Sequence, residues 1–326
     1  GKKQEHSLVS PLRRPKLCYE PADGRSPCLG HGVAAVFGSR DESRPARWRS
    51  KSTMSSYSPA TKLTAVIGDP VIHSLSPLLH NKIYENEKID AVMLAFGNPS
   101  IEKLIAAMRA LPIHLAAVTM PHKQTIMPLL DEIDEAAHEI GAVNTVVSKE
   151  GKLTGYNTDI VGIAKALEGV TLKNAEVLLV GAGGAARTVA HYLRSESANI
   201  YCHNRDSAQA EQLSRTFGAV HLKDLADGPS FYRLIVNATP IGMNPNPDAI
   251  PVPETLIKSD TTVFDLVYSP LETKFLKTAR AKGARAISGL TMFLEQGLEQ
   301  ERLWLGKTLD PALYAELLES RVRSKN

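Results

Sequence analysis

The chain has 326 residues, 43% of them hydrophobic and 22% charged, a composition that excludes a disordered, collagenous or disulfide-stapled protein and suits one large domain or two of average size. Its formal charge of +3 is unevenly divided: residues 1–60 hold 11 basic and 5 acidic side chains, a balance of +6, and the remainder stands at −3. Cys18, Cys28 and Cys202 form no C-x-x-C and no metal-ligand spacing, which argues against a disulfide framework or a zinc site and for a reducing compartment, and no apolar run approaches the roughly 20 residues that span a bilayer.

Residues 1–60 are rich in Arg, Ser, Pro and Gly and show no apolar period of 2 or 3.6, so they read as a disordered basic extension. Two further readings stay open. An Arg- and Ser-rich leader suits an organellar transit peptide, although Glu5, Glu20, Asp23, Asp41 and Glu42 weaken that reading; alternatively the mature protein begins near Met54. The expected location is cytoplasmic, or organellar if residues 1–53 are a transit peptide.

From residue 63 strands alternate with helices. The pattern predicts strands over 63–67, 91–96 and 115–119, with helices over 76–87 and 100–111 between them. A helix over 127–141, a hairpin of 144–148 with 153–156 around Glu150-Gly151, and a helix over 159–167 follow. A second unit opens with a buried strand at 177–180 and continues with strands at 199–203, 219–222, 234–237, 262–266 and 284–287; from Gly289 the chain reads as helical, broken by Gly306 and Pro311. The fold class is therefore α/β, with mostly parallel sheets. The expected domains are a substrate-binding unit over 61–168, a Rossmann dinucleotide-binding unit over 169–288, and C-terminal helices over 289–326 that return to the first unit.

Gly181-Ala182-Gly183-Gly184-Ala185-Ala186 leaves the strand at 177–180 and opens a helix, the context a dinucleotide fingerprint requires. Gly181 suits the tight turn, Gly183 the approach of a pyrophosphate, and the helix N-terminus offers unpaired N–H groups to phosphate. The next strand ends in Asn204-Arg205-Asp206. Arg205 suits the 2′-phosphate of NADP, whereas Asp206 suits the ribose hydroxyl of NAD.

Three strand-end runs are unusually polar: His73-Ser74-Leu75-Ser76-Pro77, Thr119-Met120-Pro121-His122-Lys123, and Asn157-Thr158-Asp159. Loops at the carboxyl ends of parallel strands are where open α/β sheets bind ligands, and hydroxyl and amide groups there suit a small polyhydroxylated molecule. His73, His80 and His122 lack metal-site spacing and are assigned no chemistry. Met120, Met243 and Met292 are expected to pack around the cleft.

These runs, together with Gly68-Asp69-Pro70, Gly141-Ala142-Val143-Asn144-Thr145, the run from Asn237 to Met243 and the run from Gly289 to Gln296, stand in the order seen in shikimate dehydrogenases, and the chain resembles that family over residues 63–320. The resemblance implies reversible reduction of 3-dehydroshikimate to shikimate by NADP, in an aromatic amino-acid pathway. NAD and quinate are the alternatives. It implies Lys123 and Asp159 as the catalytic pair, and Ser74, Ser76, Thr119, Asn144, Tyr268 and Gln296 as substrate contacts. Gly181, Ala182, Gly183, Gly184, Ala185, Asn204, Arg205, Asp206, Leu266 and Gly289 would line the cofactor site, with Glu135 near it. The partner is a small molecule, with no membrane, no nucleic acid and no metal; a homodimer is the expected assembly if there is one.

Carbonyl reduction puts hydride on carbon and a proton on oxygen, so an acid must lie within reach of that oxygen. Lys123 held by Asp159 suits the task. Two departures from the family pattern stand out: NADP-using members carry a second basic residue after Asn-Arg-Thr, where this chain has Asp206-Ser207-Ala208-Gln209, and Thr291 replaces a common Gly. A catalytically silent metabolite sensor, with the basic extension as a nucleic-acid arm, is the reading from another class. A related two-domain enzyme acting on a folate or aminoacyl substrate is a third.

Overall fold

The computed structural model describes residues 57–323, and the expectations for residues 1–56 lie outside them. The first sheet is built on β1 (Lys62–Gly68), flanked in parallel by β2 (Ala91–Gly97) and β3 (Ile113–Val118). Two crossover helices cover it, α1 (Ser76–Glu87) and α2 (Ile101–Ala110). In α2 the apolar positions Ile101, Leu104, Ile105 and Met108 recur at helical spacing and are buried, while the Ser100 hydroxyl caps the N-terminus by accepting from Lys103 N.

Beyond β3 one predicted element is replaced. Residues 127–141 do not form one helix. Met127–Leu129 is a single 3-10 turn, Glu132–Ile133 (β4) is a short strand, and only Glu135–Ile140 (α3) is α-helical. Pairing to the sheet edge outweighs the helical period here: Asp131 accepts from Leu153 N and from both Arg109 Nη atoms, which holds the segment extended, and the Asp134 carboxylate then caps α3. β5 (Thr145–Lys149) and β6 (Lys152–Tyr156) form the expected hairpin, with Glu150 at φ 52° and Gly151 at φ 81° in the turn. A two-residue turn forces antiparallel pairing, so the order β2-β1-β3-β5-β6-β4 is mixed rather than parallel.

After α4 (Asp159–Ala166) the second sheet is wholly parallel, in the order β12-β11-β10-β7-β8-β9. Its strands are β7 (Glu176–Val180), β8 (Asn199–His203), β9 (Val220–His221), β10 (Leu234–Asn237), β11 (Thr262–Asp265) and β12 (Arg285–Ser288). The helices α5 (Gly184–Ser195), α6 (Ser207–Phe217) and α7 (Lys274–Ala281) are its crossovers. Strand order reverses at β7, and a crevice opens at such a switch point.

α8 (Gly289–Leu305) runs alongside α4, and with α9 (Ala312–Arg323) it closes over the first sheet. Leu290, Phe293, Leu294 and Leu298 of α8, and Tyr314, Leu318 and Val322 of α9, share one core with Leu79, Ile83, Tyr84 and Met93. Each such side chain contributes about 1.5–3 kcal/mol by leaving water. Within this core His80 and Glu301, both fully buried, pair through Nδ1 and Oε1, and the Tyr84 hydroxyl donates to the same Glu301 oxygen at 2.8 Å. Among the described residues no helix is long and apolar enough to cross a membrane.

At the end of β11, Asp265 is fully buried and accepts from Asn237 Nδ2, Val267 N and Thr273 Oγ1. Burial outweighs these three donors and pushes its carboxyl from 3.8 up to about 6. Between those values the folded chain holds a proton that the unfolded chain releases, so this group makes stability fall as pH rises through the window, by up to about 3 kcal/mol. Urea unfolding of wild type and Asp265→Asn from pH 4 to 7 should show this slope only in the wild type; equal slopes would refute the assignment.

Candidate active site

The carboxyl edges of the two sheets and the start of α8 enclose a cavity of about 170 Å³. In its wall Lys123 Nζ donates to Asp159 Oδ2 at 2.6 Å, with side chains 18% and 5% exposed. Lys123 stands on the loop after β3, where its carbonyl accepts from Val143 N at 2.7 Å; Asp159 stands on the first turn of α4. Residues 36 positions apart thus meet because a strand-end loop and a helix start open on the same edge.

Asn144 fixes the orientation of the carboxylate. Thr158 N–H, which can only donate, gives its hydrogen bond to Asn144 Oδ1 at 2.7 Å, and this turns Nδ2 toward Asp159 Oδ1 at 2.9 Å. Each Asp159 oxygen therefore accepts a hydrogen bond. Burial, and next the Asp159 charge, push the Tyr268 phenol up to about 12, so it remains a neutral donor at the cavity wall. Ser74, Ser76 and Thr119 line the cavity from the first sheet, with Ser76 N donating to Ser74 Oγ at 3.2 Å. Gln296 lines it from α8, its Oε1 accepting from Asn144 Nδ2 at 3.3 Å.

The glycine-rich turn adjoins this cavity. Gly181 sits at φ +118°, a conformation that glycine adopts without strain. A side chain on Gly184 would come within 2.8 Å of Lys123 Cβ, so the lysine stem lies directly against the start of α5. At Gly183, the N-cap of α5, a Cβ would meet nothing within 4 Å, and no side chain caps the helix. Open space before uncapped N–H groups fits the pyrophosphate of a dinucleotide. Ala185, Leu266 and Gly289 complete the wall on this side.

Two family models match the chain: "Shikimate dehydrogenase substrate binding domain" over residues 66–146 and "Shikimate / quinate 5-dehydrogenase" over residues 163–239. A shikimate dehydrogenase (NADP(+)) of Pyrococcus abyssi is 42% identical over 248 residues, covering 75% of this chain and 92% of its own. The chain belongs to the shikimate dehydrogenase family. The corresponding protein of Pyrococcus furiosus is 39% identical over 269 residues, covering 81% of this chain and 98% of its own. The crystal structure of shikimate 5-dehydrogenase from Thermus thermophilus in complex with NADP(H) and shikimate superposes with a TM-score of 0.73 at 37% identity, covering 80% of this chain and 99% of that one.

In this shikimate dehydrogenase chain the first matched stretch carries Ser74, Ser76, Thr119, Lys123 and Asn144, and the second carries the glycine-rich turn. Asn204, Arg205 and Asp206 lie at the end of β8, outside the cavity wall. Asp206 is the N-cap of α6, its Oδ1 accepting from Ala208 N and Gln209 N and its Oδ2 from Gln209 Nε2. Of the three methionines expected around the cleft only Met292 lines the cavity; Met120 and Met243 are 51% and 36% exposed. Glu135 is exposed on α3 and lies outside the cavity wall. Thr291 is exposed on α8, and nothing in the structure explains its replacing a glycine. Sequence reasoning missed Gln300, which also lines the cavity; its place one helical turn after Gln296 was the available signal.

Proposed function

We propose that the protein is an NADP-dependent shikimate dehydrogenase, interconverting 3-dehydroshikimate and shikimate. The observation that carries this reading is the Lys123–Asp159 pair in a cavity ringed by the hydroxyls of Ser74, Ser76, Thr119 and Tyr268 and the amides of Asn144 and Gln296, directly beside the glycine-rich turn. The names of the curated relatives support shikimate over quinate and NADP over NAD. In this reading residues 61–168 with the C-terminal helices over 289–326 hold the substrate, and residues 169–288 hold the cofactor.

The hydroxyl and amide groups bind the substrate's carboxylate and hydroxyls and set the carbonyl against Lys123. Gly181 to Ala185 with Asn204, Arg205, Leu266 and Gly289 would hold the dinucleotide, which would supply the hydride when bound. Lys123 donates a proton to the carbonyl oxygen during reduction, while Asp159 holds the ammonium in place. In the reverse direction Lys123 accepts the proton of the alcohol.

Arg205 is exposed and makes no ion pair among the described residues, and the neighbouring Asp206 carboxylate is committed to capping α6. That arrangement supports Arg205 as the partner of the 2′-phosphate. Steady-state rates with shikimate or quinate and NADP+ or NAD+ test the reading: shikimate with NADP+ should have the highest kcat/KM, and absence of turnover in all four pairings would sink it. Arg205→Ala should reduce the preference for NADP+ over NAD+ by roughly 10-fold or more, the worth of a charge-assisted hydrogen bond. An unchanged preference would remove Arg205 from the cofactor site.

A further inference from the structure

α8 presents two glutamines, Gln296 and Gln300, to the same cavity. Only 1% of Gln300 is exposed, and a buried amide is costly unless its polar atoms find partners. Its Nε2 donates to Thr145 Oγ1 at 3.0 Å and more distantly to Asn144 O at 3.4 Å, while its Oε1 has no partner among the described residues. No cap depends on this amide, and a Leu or Met would fill the same space. Its hydrogen bonds therefore need a reason beyond packing.

The direction of each hydrogen bond follows from a backbone donor. Thr158 N–H fixes Asn144 Oδ1 as an acceptor. The same oxygen accepts the Thr145 hydroxyl at 2.8 Å, which commits that proton and leaves Thr145 Oγ1 to accept from Gln300. On its other side Asn144 donates to Asp159 Oδ1, and Lys123 donates to Oδ2. An ordered chain thus runs from Gln300 through Thr145 and Asn144 to the carboxylate that holds the lysine.

We infer that Gln300 is a positioning residue: by donating to Thr145 it fixes the Asn144 amide and through it the geometry of Asp159 and Lys123. Its kinetic consequence rests on the shikimate dehydrogenase reading. If the Thr145 hydroxyl loses the donor that holds it, it can turn toward Thr158 Oγ1, which lies 3.1 Å away, and Asn144 Oδ1 loses one of its donors.

The test compares full-length wild type with Gln300→Leu, the near-isosteric Gln300→Met, Thr145→Val and the Gln300→Met/Thr145→Val double variant. Misplacing a catalytic group by a fraction of an ångström should lower kcat about 10-fold in the Gln300 variants with KM for shikimate within about 3-fold. Because both residues act through one chain, the double variant should lose no more than the worse single one. Gln300→Glu keeps the length but, ionised, can only accept, and it should not rescue. Independently of activity, the side-chain amide resonances of Asn144 in ligand-free protein should shift in Gln300→Met. Wild-type kcat in both Leu and Met variants, additive losses in the double variant, rescue by Glu or an unshifted Asn144 amide would each overturn the proposal. A wild type that is silent with shikimate would overturn the functional reading instead, and the Asn144 resonances would still decide the role of Gln300.

Discussion

Replacing Lys123 with alanine is expected to lower kcat by about 10²–10⁴-fold in both directions, the usual contribution of a positioned general acid or base. KM for shikimate should change far less, because the hydroxyls of Ser74, Ser76 and Thr119 still line the cavity. The variant also leaves the Asp159 carboxylate, 5% exposed, with only the Asn144 donor. Lys123→Met, which keeps the stem packed against Gly184 but removes the ammonium, separates the two effects and should be as slow as alanine. Turnover is read from NADPH absorbance in either direction. A wild-type rate in either variant would exclude proton transfer by Lys123.

The largest loss of stability is expected from Glu301→Ala. Leaving a buried hydrogen-bonding group without its partner costs about 1–3 kcal/mol, and truncating a buried side chain adds the cost of the cavity. Here the truncation leaves buried His80 Nδ1 without its partner and takes from the Tyr84 hydroxyl one of two, the other being Thr64 Oγ1 at 2.9 Å. At roughly 2–4 °C per kcal/mol for a chain of this size, the melting midpoint should drop by about 10 °C. His80→Leu/Glu301→Leu should recover part of the loss, because apolar replacement of both members removes the desolvation cost as well as the attraction. A Glu301→Ala midpoint within about 2 °C of wild type would mean that the pair contributes little. The cluster joins α1, which starts at Ser76, to α8, which carries Gln296, so the same contact that stabilises the fold keeps two walls of the cavity in register.

Much of the architecture was legible because it is local. The apolar four of Val177 to Val180 followed at once by glycines is a strand turning into a helix, and Glu150-Gly151 between apolar runs is a two-residue hairpin turn. The polar residues at strand ends could be read as a ligand edge because parallel strands bring their carboxyl ends to one side. The 127–141 segment was misread for the complementary reason: its composition permits a helix, and only Arg109 and Leu153, from α2 and β6, hold Asp131 extended.

What the sequence by itself determined is the alternation of strands and helices, the glycine-rich turn and the set of polar side chains that face the cavity. These depend on periodicity, backbone sterics and the side on which a strand ends. Tertiary structure alone decided which way each hydrogen bond runs and which group a side chain serves. Asp206 caps α6, Gln300 reaches Thr145 across 155 positions, and Glu301 meets His80 across 221. A carboxylate or amide has the same chemistry wherever it stands in a chain. Its role is set by the donors and acceptors that packing brings within about 3 Å, the reach of a hydrogen bond.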